Sequence, residues 1–251
     1  MCKASVVIPY YKKKKYLKKT IQSVLNQTYQ KFEIIIVYDD DSKEDLKFVK
    51  KIKKLDKRIK LYINKKNMGA GFSRNFGISK SKGSYICFID SDDIWKKNKL
   101  KVQIEFMENN NISASHTSYQ IKNDKNKIIG HRQAKDITSF NKLLQSCDIG
   151  LSTVIIKKKI LKKNLKFAKL KTKEDYVLWL YLIKKGIKIY SLKKKLTIWT
   201  KMPGSLSSSI IQKLGDSFLV YNRYMNFGIT KSIYLTLILS INFLKKNFKN
   251  S

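Results

Sequence analysis

An apolar segment of the chain ends abruptly on three carboxylates. Residues 84–95 read Ser-Tyr-Ile-Cys-Phe-Ile-Asp-Ser-Asp-Asp-Ile-Trp, and residues 85–89 have the composition of a buried strand. Asp90 and Asp92 are two positions apart, so in an extended chain both side chains leave the same face. Two carboxylates ~4 Å apart repel by about 4 kcal/mol at an effective dielectric of ~20, which favours a bridging cation. The spacing therefore favours a hard divalent cation here, with water and substrate phosphates completing its shell.

The same acids also have a purely structural interpretation. In open α/β sheets, ligands bind beyond the carboxyl ends of the strands, so a strand ending at Asp90 suits a nucleotide diphosphate. A solvated Asp-rich turn that caps a helix beginning near Trp95 would show the same residues. This stretch alone therefore leaves both interpretations open.

The elements around these acids alternate between strand and helix patterns. Apolar strands are predicted at residues 5–8, 32–38, 60–63 and 85–89. Helices are predicted between them, at residues 17–27, at 44–55 and from about 69 to 83. Repeated β-α units with short connections imply an α/β fold with a mostly parallel central sheet flanked by helices. The strand at 32–38 also ends on acids, Asp39-Asp40-Asp41, so both acidic clusters are predicted at one edge of the sheet.

A turn rich in glycine precedes the strand that leads to Asp90. Its sequence, Asn-Met-Gly-Ala-Gly-Phe-Ser-Arg-Asn at residues 67–75, combines two glycines with the start of a helix. Glycines in such a turn let backbone N–H groups approach an anion closely. The turn is therefore a candidate anion-binding element.

Two further acids begin the most apolar helix of the chain. Residues 176–183 are apolar nearly all round, which predicts a buried helix that ends at Gly186, with Thr172 as a candidate cap. Glu174 and Asp175 lie in its first turn. They either complement the helix dipole or present a carboxylate at the mouth of a cleft, and both interpretations stay open.

Lysine dominates the charge of the chain. The sequence has 251 residues and a formal net charge of +36, yet arginine occurs only at positions 58, 74, 132 and 223. A nucleic-acid reader is expected to use more arginine for bidentate contacts, whereas these lysines are spread along the whole chain. We therefore expect no nucleic-acid partner, and an anionic membrane surface is the candidate partner for the positive charge.

The C-terminal segment is apolar but short. We expect one domain at residues 1–210 and a helical extension at 211–251. The apolar part of the extension, between Lys231 and Lys245, spans roughly a dozen residues, whereas crossing a bilayer takes ~20. Such a helix either lies on an anionic leaflet or docks on the protein core.

The N-terminus and the cysteines favour a reducing compartment. The chain enters its first strand almost at once and shows no signal-peptide pattern. Cys2, Cys87 and Cys147 have no metal-binding spacing, and Cys87 lies in a predicted buried strand. We therefore expect a cytoplasmic protein, with the inner face of the cell membrane as the peripheral location if the C-terminal helix binds lipid.

Eight segments, in their order along the chain, resemble the motifs of glycosyltransferase family 2. They are Ser-Val-Val-Ile-Pro-Tyr-Tyr (5–11), Ser-Val-Leu-Asn-Gln-Thr-Tyr (23–29), Phe-Glu-Ile-Ile-Ile-Val-Tyr-Asp-Asp-Asp-Ser (32–42), Asn-Met-Gly (67–69), Ser-Arg-Asn (73–75), Phe-Ile-Asp-Ser-Asp-Asp-Ile-Trp (88–95), Glu-Asp-Tyr-Val-Leu-Trp-Leu (174–180) and Pro-Gly-Ser-Leu-Ser (203–207). Any one of them is a weak signal, but eight in order are highly specific. The resemblance covers residues 4 to about 209, and it implies an inverting enzyme with the Rossmann-like GT-A fold.

The resemblance also implies a donor-binding role for several residues. Pro9, Tyr11 and Asp39 are expected to line the nucleobase pocket, with Tyr11 stacking on the base and Asp39 accepting from the base or ribose. Arg74 matches an arginine near the nucleotide. The donor is expected to be a nucleotide-diphosphate sugar linked to UDP.

The remaining implied roles concern the metal and the chemistry. Asp90-Ser91-Asp92 matches the DXD element of the donor site, in which Asp92 is the main ligand of Mg²⁺ or Mn²⁺ and Asp90 assists. Asp175 matches the carboxylate that acts as general base, with Glu174 beside it. The base takes the proton of the acceptor hydroxyl, while positive charge stabilises the diphosphate leaving group.

Three positions depart from the family pattern. Asp41 stands where the family usually has Gly, and Lys12 replaces the usual Asn. Trp-Thr-Lys-Met at 199–202 replaces a segment that typically reads Tyr-Arg-x-His. Lys201 is the candidate substitute for the missing positive charge.

The sequence therefore predicts a metal-dependent, hexosyltransferase-type enzyme that moves a sugar to a hydroxyl of a surface glycan. The acceptor would belong to lipopolysaccharide, capsule or another polysaccharide, free or lipid-linked. A sugar-nucleotide nucleotidyltransferase would need a Gly-rich loop with Lys or Arg after the first strand, and Pro9-Tyr10-Tyr11 does not provide one. A catalytically decayed GT-A protein and a basic module that binds membrane or nucleic acid remain as alternatives.

Overall fold

The structure is a computed structural model that describes residues 3–161, 165–202 and 209–248. Within these residues the strands are β1 (Ala4–Tyr10), β2 (Phe32–Tyr38), β3 (Ile59–Ile63), β4 (Tyr85–Phe88), β5 (Ile94–Trp95), β6 (Ala114–Lys122), β7 (Ile128–Arg132), β8 (Ile155–Lys157) and β9 (Tyr190–Thr200). The helices are α1 (Lys14–Leu25), α2 (Lys43–Lys53), α3 (Ala70–Lys80), α4 (Lys99–Asn109), α5 (Phe140–Gln145), α6 (Glu174–Lys184), α7 (Ile210–Leu219) and α8 (Ile229–Phe248). Short 3-10 turns at Leu151–Thr153 and Lys158–Ile160 flank β8, and a π-helical turn at Val220–Tyr224 follows α7.

One sheet runs through the molecule in the order β3-β2-β1-β4-β8-β6-β9-β5, with β7 paired to β6. β1 pairs in parallel with β2 and β4, and β2 pairs in parallel with β3. β1 and β2 are buried along almost their whole length, as expected of strands that helices cover on both faces. The predicted α/β fold and the parallel β-α units up to β4 are therefore confirmed.

The other half of the sheet is mixed. β8 pairs antiparallel with both β4 and β6, and β6 pairs in parallel with β9. β5 has only two residues and pairs antiparallel with β9, where Ile94 lies opposite Ile198. This pairing brings β9 against the turn that carries the three acids.

Two local predictions are wrong. Trp95 lies in β5 and the next helix begins at Lys99, so the preceding acids do not cap a helix. Thr172 does not cap α6, because Lys173 takes the N-cap position in the left-handed conformation, with φ at 64°. The Thr172 hydroxyl instead donates to Asp216 Oδ2 at 2.8 Å, which ties the start of α6 to α7.

Each face of the sheet carries its own apolar core. Helices α1, α2 and α4 cover one face, towards which Val6 and Ile8 of β1 point. Helices α5, α6 and α8 cover the other face, where Val7 packs in the same core as the fully buried Trp179. Cys87 is buried in β4 as predicted, whereas Cys2 and the segment at 203–207 lie outside the described residues.

Helix α8 packs one face against the second core. Leu235 and Leu239 are buried there with residues of α5 and α6. The expectation of a helix docked on the protein therefore describes this face of α8. Among the helices that the structure describes, none combines the length and the apolar character needed to span a bilayer. The boundary at residue 210 stays a prediction.

Candidate active site

The carboxyl ends of three neighbouring strands lie side by side. Because β2, β1 and β4 are adjacent and parallel, the residues that follow them share one edge of the sheet. Asp39 follows β2, Tyr11 follows β1, and Asp90 comes two residues after the end of β4. Asp39 is buried, Tyr11 is 38% exposed, and Pro9 lies half-buried within β1. The structure thus brings these four predicted donor-site residues to one edge.

Asp39 holds the glycine turn that begins α3. Its Oδ1 accepts from the backbone N–H of Met68 at 2.7 Å, and its Oδ2 accepts from that of Gly69 at 2.8 Å. The amide of Asn64 donates to Oδ1 at 2.7 Å. Gly69 has a φ of 86°, a conformation that side chains disfavour. The anion that these N–H groups bind is therefore the protein's own Asp39 carboxylate.

Arg74 joins the turn after β4 to the start of α6. Its guanidinium is buried; Nη2 donates to Asp90 Oδ1 at 2.7 Å, and Nη1 donates to Glu174 Oε1. The guanidinium carbon lies 5.4 Å from the centre of the Phe167 ring. Burial opposes the charge of Arg74, but Asp90 and Glu174 outweigh it and raise its pKa. The acid at position 90 and the acid at position 174 thus meet on one side chain.

The two acids of α6 have different surroundings. Glu174 is buried and engaged by Arg74, whereas Asp175 is partly exposed. Asp175 Oδ1 accepts from the backbone N–H of Tyr176 at 2.8 Å. Burial raises the pKa of Asp175 against the opposing charge of Arg74, and the charge of Asp90 adds to the rise. Burial raises the pKa of Glu174 as well, to about 7, but Glu174 is buried and paired with Arg74, so the partly exposed Asp175 is the better placed of the two to accept a proton from a substrate.

The third acid of the turn, Asp93, holds the turn in place. It was not predicted from the sequence as a site residue. It is buried, and its Oδ1 accepts from the backbone N–H of Thr200 at 2.9 Å while its Oδ2 accepts from Ser152 Oγ at 2.5 Å. The hydroxyl of Thr20 donates to the backbone carbonyl oxygens of Ser91 and Asp93, at 3.1 and 2.8 Å. Asp93 therefore anchors the turn to β9 and to the 3-10 turn before β8. The only sequence signal was its place in the Asp-rich turn.

Asp92 lies in a tight turn rather than in an extended segment. The backbone N–H of Asp93 donates to Asp90 O at 3.0 Å, which closes the turn. Lys13 Nζ lies 2.7 Å from Asp92 Oδ2. Burial, and then the charge of Asp90, raise the pKa of Asp92 against the opposing effect of Lys13. The predicted need of this acid pair for positive charge is therefore met by Arg74 on one side and Lys13 on the other.

Lysines also line a small cavity next to Asp92. A cavity of about 120 Å³ lies between α1 and the β6–β7 hairpin, and Asp92 and Thr20 form part of its wall. Lys15, Lys19 and Lys122 line the same cavity. This volume is below the ~300 Å³ of small-ligand pockets, so the cavity alone does not hold a nucleotide sugar. It does place three cations beside the acidic turn.

Lys12, which departs from the family pattern, lies in the segment after β1. Lys12 has a φ of 49°, and its backbone N–H donates to Asp40 Oδ2 at 2.8 Å. Its ammonium lies 5.1 Å from the centre of the Tyr11 ring. Lys12 therefore lies against the side chain that is expected to stack on a base.

Gly71 permits the close contact between α3 and the start of α6. A Cβ at Gly71 would lie 2.4 Å from Ala168 O and 3.3 Å from Glu174 Cβ. We expect Gly71→Ala to lower the free energy of unfolding by about 1–3 kcal/mol, because the backbone at Ala168 has to move. Chemical denaturation measures this.

A matched control for this variant lies on α7. A Cβ at Gly215 would meet no atom within 4 Å, so Gly215→Ala should be neutral or stabilising by up to about 1 kcal/mol. Equal effects of the two substitutions would contradict the contact.

Comparison with known proteins assigns the chain to a family. The family model described as "Glycosyl transferase family 2" matches residues 5–180. An uncharacterized glycosyltransferase of Rickettsia bellii is 41% identical over 180 residues, which cover 71% of this chain and 26% of that protein. The chain spans between a quarter and a third of the length of the three Rickettsia relatives that it matches.

Two further relatives match over more of their own length. The Escherichia coli UDP-Glc:alpha-D-GlcNAc-diphosphoundecaprenol beta-1,3-glucosyltransferase WfgD is 40% identical over 72% of this chain and 69% of its own. The putative teichuronic acid biosynthesis glycosyltransferase TuaG of Bacillus subtilis is 29% identical over 96% of both chains.

Solved structures share the fold. TarS 1–349 of S. aureus in complex with UDP-GlcNAc has a TM-score of 0.69 at 23% identity, covering 93% of this chain and 70% of that one. The mannosyltransferase PcManGT of Pyrobaculum calidifontis, in complex with GDP-Man and Mn²⁺, has a TM-score of 0.67 at 11% identity, with 93% and 69% covered. The resemblance in the sequence motifs is thereby confirmed: this chain has the GT-A fold and belongs to glycosyl transferase family 2.

Proposed function

We propose that this protein is a metal-dependent inverting glycosyltransferase that moves a sugar from a UDP-sugar to a hydroxyl of a lipid-linked glycan. The observation that carries the proposal is the bridge made by Arg74 between Asp90 and Glu174. This bridge joins the turn after β4, which would bind the donor, to the acids of α6. The donor and acceptor classes follow the relatives, since WfgD uses UDP-Glc and a diphosphoundecaprenol-linked sugar.

The nucleotide end of the donor would lie against β1 and β2. Tyr11 is exposed at the end of β1 and can stack on a base. Asp39 already accepts three hydrogen bonds, and a carboxylate has about four acceptor positions, so one donor from the base or ribose can still be accommodated. The fixed glycine turn would then set the depth of this pocket.

Asp90 and Asp92 fit a divalent cation. The ion pairs with Arg74 and Lys13 engage Oδ1 of Asp90 and Oδ2 of Asp92, so each carboxylate has a second oxygen that could bind a cation. Mg²⁺ and Mn²⁺ suit a shell of one or two carboxylates completed by phosphate oxygens and water. A cation bound there would neutralise charge on the diphosphate leaving group.

Asp175 would act as the general base on the acceptor. As the partly exposed acid of the α6 pair, it would take the proton of the attacking hydroxyl. Glu174 would act through Arg74, because their ion pair fixes the first turn of α6 relative to Asp90. In this assignment Asp175 is the catalytic residue and Glu174 is a positioning residue.

Lys13 gives a test of the metal assignment that needs no acceptor. Its ammonium and a metal ion would compete for Asp92, and partly exposed ion pairs are worth about 1 kcal/mol. We expect Lys13→Met to raise the affinity for Mn²⁺ several-fold in the absence of nucleotide, measured by calorimetry. Lys14→Met is the control, since Lys14 pairs with the exposed Glu44 outside this turn. Weaker Mn²⁺ binding in Lys13→Met would count against Asp92 as a ligand.

A thermal-shift screen of donors tests the proposal as a whole. The protein is heated with UDP, GDP and their sugars, with and without Mn²⁺, because a ligand that binds the native state raises its melting temperature. We expect the largest rise with UDP or a UDP-sugar and Mn²⁺ together. No rise with any nucleotide would favour a catalytically decayed protein. A response to nucleic acid that weakens steeply with salt would instead favour a basic binding module.

A further inference from the structure

Helix α8 buries one face and exposes an apolar stripe on the opposite face. One face is buried against the protein through Ser232, Leu235, Thr236 and Leu239. The other face exposes Ile233, Leu237, Ile241 and Leu244, each about half accessible to solvent. These four lie at positions i, i+4, i+8 and i+11, which form one stripe on a helix. We call this stripe, together with Tyr234 and the exposed residues Ile210 and Ile211 of α7, the outer apolar surface.

The two helices contribute to this surface at the same end. Lys213, one turn after Ile210, places its ammonium 5.3 Å from the centre of the Phe243 ring. The first turns of α7 therefore lie beside the C-terminal half of α8. Ile210 and Ile211 are 72% and 84% exposed, the highest values among the exposed large apolar residues of the described chain. A helix on a water-facing surface normally turns polar residues outward, so an apolar surface of this kind indicates a partner.

The charged residues of α8 and of its flanking sequence are all positive. From residue 217 to the last residue the sequence contains no Asp or Glu, but it contains Arg223, Lys231, Lys245, Lys246 and Lys249. Lys213 adds another cation from α7. The nearest acid in sequence, Asp216, is buried and accepts hydrogen bonds from Thr172 and Gln212. Any partner therefore meets an apolar stripe whose charged neighbours along the chain are cations.

A lipid surface satisfies both features, whereas a second copy of the chain does not. Two outer apolar surfaces facing each other would bring like charges together, which costs association energy. An anionic leaflet takes Ile and Leu into its acyl boundary, while lysines reach the phosphates of its headgroups. We propose that the outer apolar surface docks this protein on an anionic membrane, with α8 lying in the plane of the interface.

This proposal stands on the surface alone and not on the transfer chemistry. It would place the sugar-transfer site at the membrane, where a lipid-linked acceptor presents its head group.

Sedimentation with lipid vesicles tests the docking surface. The full chain is mixed with vesicles of phosphatidylcholine alone or of phosphatidylcholine with phosphatidylglycerol. We expect binding to the anionic vesicles, and a loss of about tenfold or more in affinity for the triple variant Ile233→Ser, Leu237→Ser, Ile241→Ser. The matched control is Ile128→Ser, Ile129→Ser on β7, where two similarly exposed residues lie outside this surface. This control should bind as the parent does.

A second pair of variants tests the charge. Lys231→Gln with Lys245→Gln should weaken binding several-fold, and Lys184→Gln with Lys185→Gln at the end of α6 should change it less. The melting temperature of every variant should equal that of the parent, because the substituted side chains are exposed, and this shows that the fold is intact.

Two results would overturn the proposal. One is anionic-vesicle binding by the triple variant that equals that of the parent. The other is a parent that ignores vesicles but forms dimers in the ultracentrifuge, with the triple variant monomeric, which would identify a second copy as the occupant. A failed donor screen with intact vesicle binding would leave this proposal standing and remove only the proposed donor.

Discussion

Replacing Arg74 with Met should lower the free energy of unfolding by about 3–5 kcal/mol, the usual cost of removing one partner of a buried ion pair. Arg74 is buried and contacts both Asp90 and Glu174, so its loss leaves two carboxylates without their cation. Urea denaturation measures the effect. The same variant should also lose sugar transfer, because the turn after β4 and the first turn of α6 would no longer be held together.

Arg74→Lys separates charge from geometry. Lysine keeps the positive charge but lacks the planar fork that reaches Asp90 and Glu174 at once, so stability should be restored only in part. The double variant Arg74→Met, Glu174→Gln should be less destabilised than the two single losses added together, since they share one contact. Additive effects would show that the contact between Arg74 and Glu174 contributes nothing to folding.

Asp175→Asn should lower the rate of sugar transfer by about 10²–10⁴-fold, the range typical for loss of a general base. Asparagine keeps the size of the side chain and can still accept from the N–H of Tyr176, but it cannot take a proton. The affinity for the UDP-sugar should stay within about twofold, because Asp175 contacts the acceptor side in this assignment. Steady-state assays and calorimetry measure the two quantities separately.

Glu174→Gln is the matched control for this variant. It removes the charge that pairs with Arg74 while leaving Asp175 in place. We expect lower stability and a smaller loss of rate than for Asp175→Asn. If Asp175→Asn lost donor binding and stability in the same proportion as activity, the residue would be structural and the assignment would fail.

The pH dependence of sugar transfer follows from the groups that surround Asp175. Burial raises the pKa of Asp175, so protonation should disable the base at a higher pH than an ordinary aspartate would require. Activity is expected to fall as the pH is lowered through this raised pKa. The charge of Arg74 opposes the rise. Arg74→Lys lacks the fork that holds this charge between Asp90 and the first turn of α6, so it should move the acid limb to still higher pH. An unchanged limb would count against Asp175 as the titrating base.

The first half of the fold could be predicted because its signals are local. Each of β1, β2 and β4 is a continuous apolar run bounded by polar residues, and the parallel order follows from the helices between them. The two-residue strand β5 could not be predicted, because it exists through pairing with β9 about a hundred positions later. The prediction that Thr172 caps α6 failed for a related reason. Its hydroxyl donates to Asp216 of α7, a residue that is distant in sequence.

The candidate site shows the same division. The order of motifs pointed to Asp39, Asp90, Asp92 and Asp175, and the structure brings the segments that carry them together. Residue types alone could not show that Asp39 accepts hydrogen bonds from the glycine turn before α3. Nor could they show that Arg74 pairs with both Asp90 and Glu174. These are contacts through space, set by how strands and helices pack.

We propose that segments far apart in sequence form one site, which binds a UDP-sugar and contains the catalytic base Asp175. A crystal structure with UDP-sugar and Mn²⁺ bound tests it most directly. We expect the diphosphate and the ion beside Asp92 and the nucleobase near Tyr11 and Asp39. We expect the carboxylate of Asp175 to face the anomeric carbon from the side opposite the leaving diphosphate. A donor bound with its anomeric carbon out of reach of Asp175, or with its diphosphate away from Asp92, would contradict it.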